Sequence, residues 1–293
     1  MKKLIGILAF VWFSACTDST APHSRLTIPD DGGSAQTGVI GERVATAPTV
    51  LVTDGRNPVA GVEVSFAVTS GGGSVSSATQ MTDASGLASV GWTLGRTFGK
   101  NELSATVAGL PPVTFTAMAI APDTGIVAFD LIDPLGDTLP QSDNTLPPAI
   151  DLLSLRGAFR SSDLILTATF SAPVSSNSPA PDFVRGLILF DTDDNPNTRE
   201  YELDLAGTQT VIRGSSSTLL ETSFKGSTLV ITIPMSALGY DDGNFNFTGT
   251  FGPADRESDR FPNNGTFAVR LGPDVQAVAG FSQTGVMGEP TFR

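Results

Sequence analysis

The feature that most constrains this chain is a period of two. Val62, Val64, Phe66 and Val68 alternate with Glu63, Ser65 and Ala67. Leu103, Ala105 and Val107 alternate with Ser104 and Thr106, and Val113, Phe115 and Ala117 with Thr114 and Thr116. Successive side chains of a strand point to opposite faces, so each run describes a strand with one buried face. Turn signals separate the runs: Asp54-Gly55-Arg56-Asn57-Pro58, Ser70-Gly71-Gly72-Gly73 and Asp83-Ala84-Ser85-Gly86. Short half-buried strands at such spacing pack as two sheets face to face, and a unit of about 95 residues suits an immunoglobulin-like sandwich. Residues 24–119 form that unit, with Trp92 as a candidate core aromatic.

The β pattern continues after a Pro-containing joint, Ala119-Ile120-Ala121-Pro122-Asp123. Leu164–Phe170, Gly186–Phe190, Thr228–Ile233, Phe245–Thr248 and Thr266–Arg270 read as strands. Pro234–Gly239 reads as one short helical turn, and no helical period of comparable length accompanies it. Residues 125–272 therefore form a larger sandwich of jelly-roll type. The fold class is all-β: an N-terminal immunoglobulin-like sandwich followed by the larger one. Residues 273–293 are a tail or a last strand.

Composition narrows the chemistry. The 293 residues include one His and one Cys, with a net charge of −13. A His/Cys zinc site and an intrachain disulfide are excluded. An acyl-transfer triad usually needs a His base, and His23 lies in a polar stretch outside the strand pattern. No phosphate-binding glycine loop is present, since Gly71-Gly72-Gly73 joins two β runs. The acidic balance argues against nucleic acid as partner. These absences point to a non-catalytic protein.

The N-terminus supplies an address. Lys2 and Lys3 precede the ten-residue apolar stretch Leu4–Phe13, which is too short for a permanent membrane span. Ser14-Ala15 then stand directly before Cys16. Residues 1–15 resemble a bacterial lipoprotein signal peptide, which implies cleavage before Cys16 and a lipid on its thiol. Phe13 departs from the leucine usual three places before that cysteine, and cleavage of an ordinary signal peptide after Ala15 is the alternative. Residues 16–23 become a lipidated polar tether. Thr17 in place of Asp favours the outer membrane, with the protein facing the periplasm or the cell surface.

The first unit resembles the invasin/intimin-type bacterial immunoglobulin-like domain, the Big-1 family. The likeness rests on Asn57-Pro58-Val59-Ala60-Gly61-Val62, Val64-Ser65-Phe66, Gly71-Gly72-Gly73-Ser74-Val75 and Thr82-Asp83-Ala84-Ser85-Gly86-Leu87-Ala88. Trp92-Thr93-Leu94-Gly95 and Val107–Phe115 extend it. Members act as spacers or adhesive modules, so the resemblance implies a spacer or a module for protein interaction or adhesion.

Acid character concentrates in the second unit, at −10 over 125–272 against −2 over 24–119. Its densest cluster runs from Asp191 to Glu202. Asp191, Asp193, Asn195 and Asn197 occupy positions 1, 3, 5 and 7 of a calcium-loop spacing, with Glu202 at 12. A hard cation needs several converging oxygens, which alternate residues of a tight loop can supply. Pro196 stands where an EF-hand needs Gly, and no flanking helices are visible, so the alternatives are a structural calcium loop of another type and a plain solvated turn. Asp133–Asp137 and Asp241–Asn244 are further oxygen-rich loops. The order of these features is similar to that of DOMON-like and family 9 carbohydrate-binding sandwiches. That similarity implies structural calcium and, in some members, sugar binding. Tyr201 and Tyr240, beside the acidic loops, are the candidate sugar contacts if the protein is a carbohydrate-binding lipoprotein. The expected partners are thus a membrane through the lipid anchor and a protein or a glycan.

Overall fold

The computed structural model describes residues 24–133, 151–176, 184–193, 195, 199–206, 209–239, 242–253, 259–261 and 266–270. The expected leader of residues 1–15, Cys16, the expected tether of residues 16–23 with His23, and residues 273–293 lie outside the described residues. Among the described residues, no helix is long and apolar enough to cross a membrane.

Residues 24–120 hold ten strands: β1 (Arg25–Thr27), β2 (Gln36–Val39), β3 (Thr49–Thr53), β4 (Glu63–Ser70), β5 (Gly73–Val75), β6 (Thr79–Met81), β7 (Leu87–Ser89), β8 (Trp92–Leu94), β9 (Gly99–Thr106) and β10 (Val113–Ile120). They form a sheet ordered β2-β10-β9-β4-β6, a second ordered β1-β3-β7, and the pair β5-β8. Parity places the core: Val64 and Phe66 of β4, Leu103 and Ala105 of β9, and Phe115 and Ala117 of β10 all face inward. Val50 and Val52 of β3 meet them from the other sheet, and Trp92 is fully buried between. This is an immunoglobulin-like sandwich. β2 joins β10 in parallel, Gln36–Val39 opposite Ala117–Ile120.

The remaining strands are β11 (Ile126–Ile132), β12 (Leu152–Arg160), β13 (Asp163–Phe170), β14 (Val184–Asp191), β15 (Tyr201–Ala206), β16 (Gln209–Arg213), β17 (Ser217–Lys225), β18 (Thr228–Pro234), β19 (Phe245–Pro253), β20 (Asp259–Phe261) and β21 (Phe267–Val269). The short helical turn is a 3-10 helix, Met235–Leu238, closed by Gly239 in the left-handed conformation. One sheet runs β11-β12-β13-β18-β17. The other runs β17-β16-β15-β14-β19, with β20 and β21 both pairing with the far side of β19. β17 serves both: Glu221–Lys225 pair with β18 and Ser217–Leu220 with β16.

The two sheets meet through phenylalanines. Phe129 packs on Phe247 with centroids 4.8 Å apart, Phe170 edge-on to Phe251 at 5.3 Å, and Phe159 edge-on to Phe245 at 6.4 Å. Asp259 of β20, wholly buried, accepts a hydrogen bond from the Leu152 amide of β12 at 2.6 Å and ties one sheet to the other.

Candidate functional site: the β14–β15 loop

β14 alternates Ile188 and Phe190 inward with Leu187, Leu189 and Asp191 outward, so the strand delivers Asp191 to the surface at its last residue. The chain then folds on its own side chains. Asp191 Oδ1 accepts from the Asp193 amide at 3.3 Å, and Asp193 Oδ1 accepts from the Asn195 amide at 3.0 Å. These are two successive Asx turns. Asp191 Oδ2 accepts from Asn246 Nδ2 on the neighbouring β19 at 3.2 Å. Glu200 comes back from the far side of the loop, and its Oε2 accepts from the Thr192 amide at 2.8 Å. The other oxygen, Oε1, is buried and takes no hydrogen bond among the described residues.

Asp191, Asp193 and Glu200 thus each offer a carboxylate oxygen, and the three oxygens lie within 4.8 Å of one another. Calcium binds oxygen at about 2.4 Å, so two ligands on one ion are at most roughly 4.8 Å apart. The spacing fits that limit. Three like charges at this distance repel, and a cation between them would relieve the repulsion.

The structure brings together part of the set read from the sequence. Asp191 and Asp193 converge, and Asn195 supplies its amide to the turn. Asn197 lies outside the described residues. Glu202 does not join them: it sits in β15 directly opposite Arg213 and pairs with that guanidinium at 3.2 Å on the outer face, where Arg213 also meets Asp204 at 3.0 Å. The carboxylate that comes near Asp191 and Asp193 is instead Glu200, two residues earlier. The signal for this was present in the sequence. Leu203 and Leu205 must face inward, which sends Glu202 and Asp204 outward by parity.

The same parity sends Tyr201 inward. It is partly buried and packs against the larger core, with its hydroxyl lying beside Gly239, where an added Cβ would meet it at 2.5 Å. Tyr201 is thus the first residue of β15 and not part of the acidic loop itself. Tyr240 and Asp241 lie outside the described residues, whereas Asp242 Oδ1 accepts from the Asn244 amide at 2.9 Å in a plain turn. Asp133 is buried where β11 ends, its amide donating to Leu153 at 2.9 Å. Asp151 is buried too, and with Asp259 these acids occupy the end of the sandwich away from Asp191.

No protein-family model matches the chain. No curated protein matches it either. Among solved structures, the D0–D1 domains of intimin are similar at 13% identity and a TM-score of 0.29, over 81% of this chain and 95% of that one. A C-terminal 282-residue fragment of intimin, in complex with the intimin-binding domain of the translocated intimin receptor, matches at 16% identity and a TM-score of 0.27, over 80% and 60%. The Yersinia pseudotuberculosis adhesin InvE matches at 16% and 0.28, over 86% and 60%. The chain spans about 60% of the length of the last two. At these TM-scores no residue role or partner carries over to this chain.

Proposed function

We propose that this protein is a non-catalytic cell-envelope lipoprotein in which the immunoglobulin-like sandwich acts as a spacer and presents the larger, acid-rich sandwich to a protein partner. The observation that supports this reading is the order of parts along the chain. The leader-like stretch of residues 1–15 stands directly before Cys16, the polar residues 16–23 follow, and β1 begins at Arg25. The larger sandwich and its carboxylate loop come last. A lipid on Cys16 would hold the first sandwich against the outer membrane and leave the second outward. One acyl chain binds a bilayer only reversibly, so retention needs the multi-chain anchor of bacterial lipoproteins. Cys16→Ser should move the protein from the membrane fraction to the soluble fraction and abolish lipid labelling. Unchanged membrane retention of that variant would overturn the anchor.

In the same reading the Asp191–Glu200 loop takes up a structural calcium ion, held by Asp191, Asp193 and Glu200. Backbone oxygens and water complete the six to eight ligands that calcium takes. Binding to the folded state alone would add about 2.7 kcal/mol at roughly a hundredfold excess over the dissociation constant. Millimolar calcium should therefore raise the melting temperature, magnesium less so, and Asp193→Ala or Glu200→Gln should cancel the rise. Identical melts in calcium and in chelator, with no heat on titration, would leave the loop as a turn.

A further inference from the structure

The two sandwiches touch at more than their connector. Residues 121–125 link β10 to β11, and they are fastened to the turn between β12 and β13 rather than left as a tether. The Ala121 amide donates to the Ser161 carbonyl at 2.9 Å, the Ser161 hydroxyl donates to the Asp123 carboxylate, and the Gly125 amide closes a turn onto Pro122 at 2.9 Å. Away from this strap, the loop between β8 and β9 sends Phe98 into the end of the larger sandwich. The Phe98 ring lies 4.6 Å from that of Phe159, is 5% exposed, and belongs to the larger core although its chain neighbours build the smaller one. Its amide donates to the Asp242 carbonyl at 3.3 Å. Ile40, from the turn after β2, packs against both cores. The crevice left between Met118, Ile120, Ser162 and Met235 measures only about 20 Å³.

We propose that Phe98 is a plug that locks the two sandwiches into one body, so that the larger sandwich draws part of its stability from the smaller. A single connector leaves a domain free to swivel, and relative motion is the ordinary expectation for a small joint. Here three separate contacts, at Ala121–Asp123, Phe98 and Ile40, fix the orientation. The plug also continues a line of rings inside the larger core: Phe159 meets Phe245 at 6.4 Å, and Phe245 meets Phe190 at 5.6 Å. Withdrawing Phe98 would uncap that line and wet Phe159 and Met235, both buried in the joined molecule. Neither the lipid anchor nor the cation takes part in this lock.

The test uses residues 17–293, which retain both sandwiches. Trp92 is the one tryptophan left after the leader is removed, and it sits in the smaller core, so its fluorescence reports that sandwich while far-ultraviolet circular dichroism reports both. The unaltered protein should melt in one transition with coincident midpoints by the two probes. Phe98→Ala should split it, lowering the larger sandwich by several degrees more than the Trp92 signal, and Phe98→Leu should restore most of the coincidence. Backbone ¹⁵N relaxation of the unaltered protein gives an answer even if the variant folds poorly: a single rotational correlation time is expected for both sandwiches. Two correlation times, separate transitions in the unaltered protein, or a Phe98→Ala melt within about 1 °C of it at both probes would overturn the proposal.

Discussion

Asn101 is wholly buried at the third residue of β9, and its side chain bridges the two ends of the loop that precedes it. Its Oδ1 accepts from the Gly95 amide at 3.3 Å, and its Nδ2 donates to the Gly99 carbonyl at 3.3 Å. Gly95 and Gly99 are themselves buried, so water does not readily replace either bond. Asn101→Ala deletes both. Each bond contributes about 0.5–1.5 kcal/mol net, and a buried group left without a partner costs about 1–3 kcal/mol. Both bonds sit at the long end of the range, which favours the lower figures, and a loss of about 2–3 kcal/mol is expected. Urea denaturation followed by Trp92 fluorescence should show the midpoint falling by roughly 0.7–3 M at unchanged slope, given slopes of about 1–3 kcal/mol/M for small domains. Asn101→Asp separates the two bonds. It keeps an acceptor for Gly95 but sets a carboxylate against the Gly99 carbonyl in a buried site, and it should be at least as damaging as alanine. A loss under about 0.5 kcal/mol for alanine, or full tolerance of aspartate, would refute the bridge as a source of stability.

Gly86 and Gly109 both adopt positive φ, +70° and +78°, but a Cβ at Gly86 would meet the Val52 carbonyl at 2.6 Å while Gly109 has nothing within 4 Å. Gly86→Ala should therefore lower the urea midpoint distinctly more than Gly109→Ala, which should cost only about 1 kcal/mol of backbone strain; equal losses would show that space at residue 86 is not limiting. Burial, and after it the charge of Glu221, holds the Asp163 carboxyl above the usual aspartate range. The folded protein then keeps this proton to higher pH than the unfolded chain does, so stability falls as pH rises from about 3.9 through the raised value. Asp163→Asn should raise the melting temperature at pH 7 and remove that decline, and parallel pH profiles for the two proteins would contradict the assignment.

Much of the fold was legible because alternation encodes burial directly. Leu164, Leu166, Ala168 and Phe170 face inward as their spacing requires, and so do Leu229, Ile231 and Ile233. Where the sequence pattern is silent, the reasons are physical. β19 runs on to Pro253, beyond the Phe245–Thr248 read from the sequence, because Gly249 and Gly252-Pro253 carry the composition of a loop. Gly249 is needed there: a Cβ would meet the Leu187 carbonyl at 2.7 Å. β15 was hidden inside the acidic cluster, since Glu202 and Asp204 look like loop acids until Leu203 and Leu205 are paired as one inward face. The candidate site was half legible for the same reason. The spacing of Asp191 and Asp193 is local and can be read. The return of Glu200 depends on where β15 begins. Phe98 was out of reach altogether, because a lone aromatic between Thr97 and Gly99 has no periodic partner and its neighbours come from residues 159 and 242.

The parallel pairing of β2 with β10 determines how the smaller sandwich resists being stretched. A pull between the residue-24 end and the joint first loads β1 against β3, and once β1 yields it draws β2 toward its N-terminus and β10 toward its C-terminus. Because the two strands run the same way, those forces oppose each other along the strand axis. The rungs between Gln36–Val39 and Ala117–Ile120 are then loaded together, in shear, instead of being peeled one by one. Detachment of β2 requires all of them to fail at once, so this four-residue ladder acts as a mechanical clamp under such a pull.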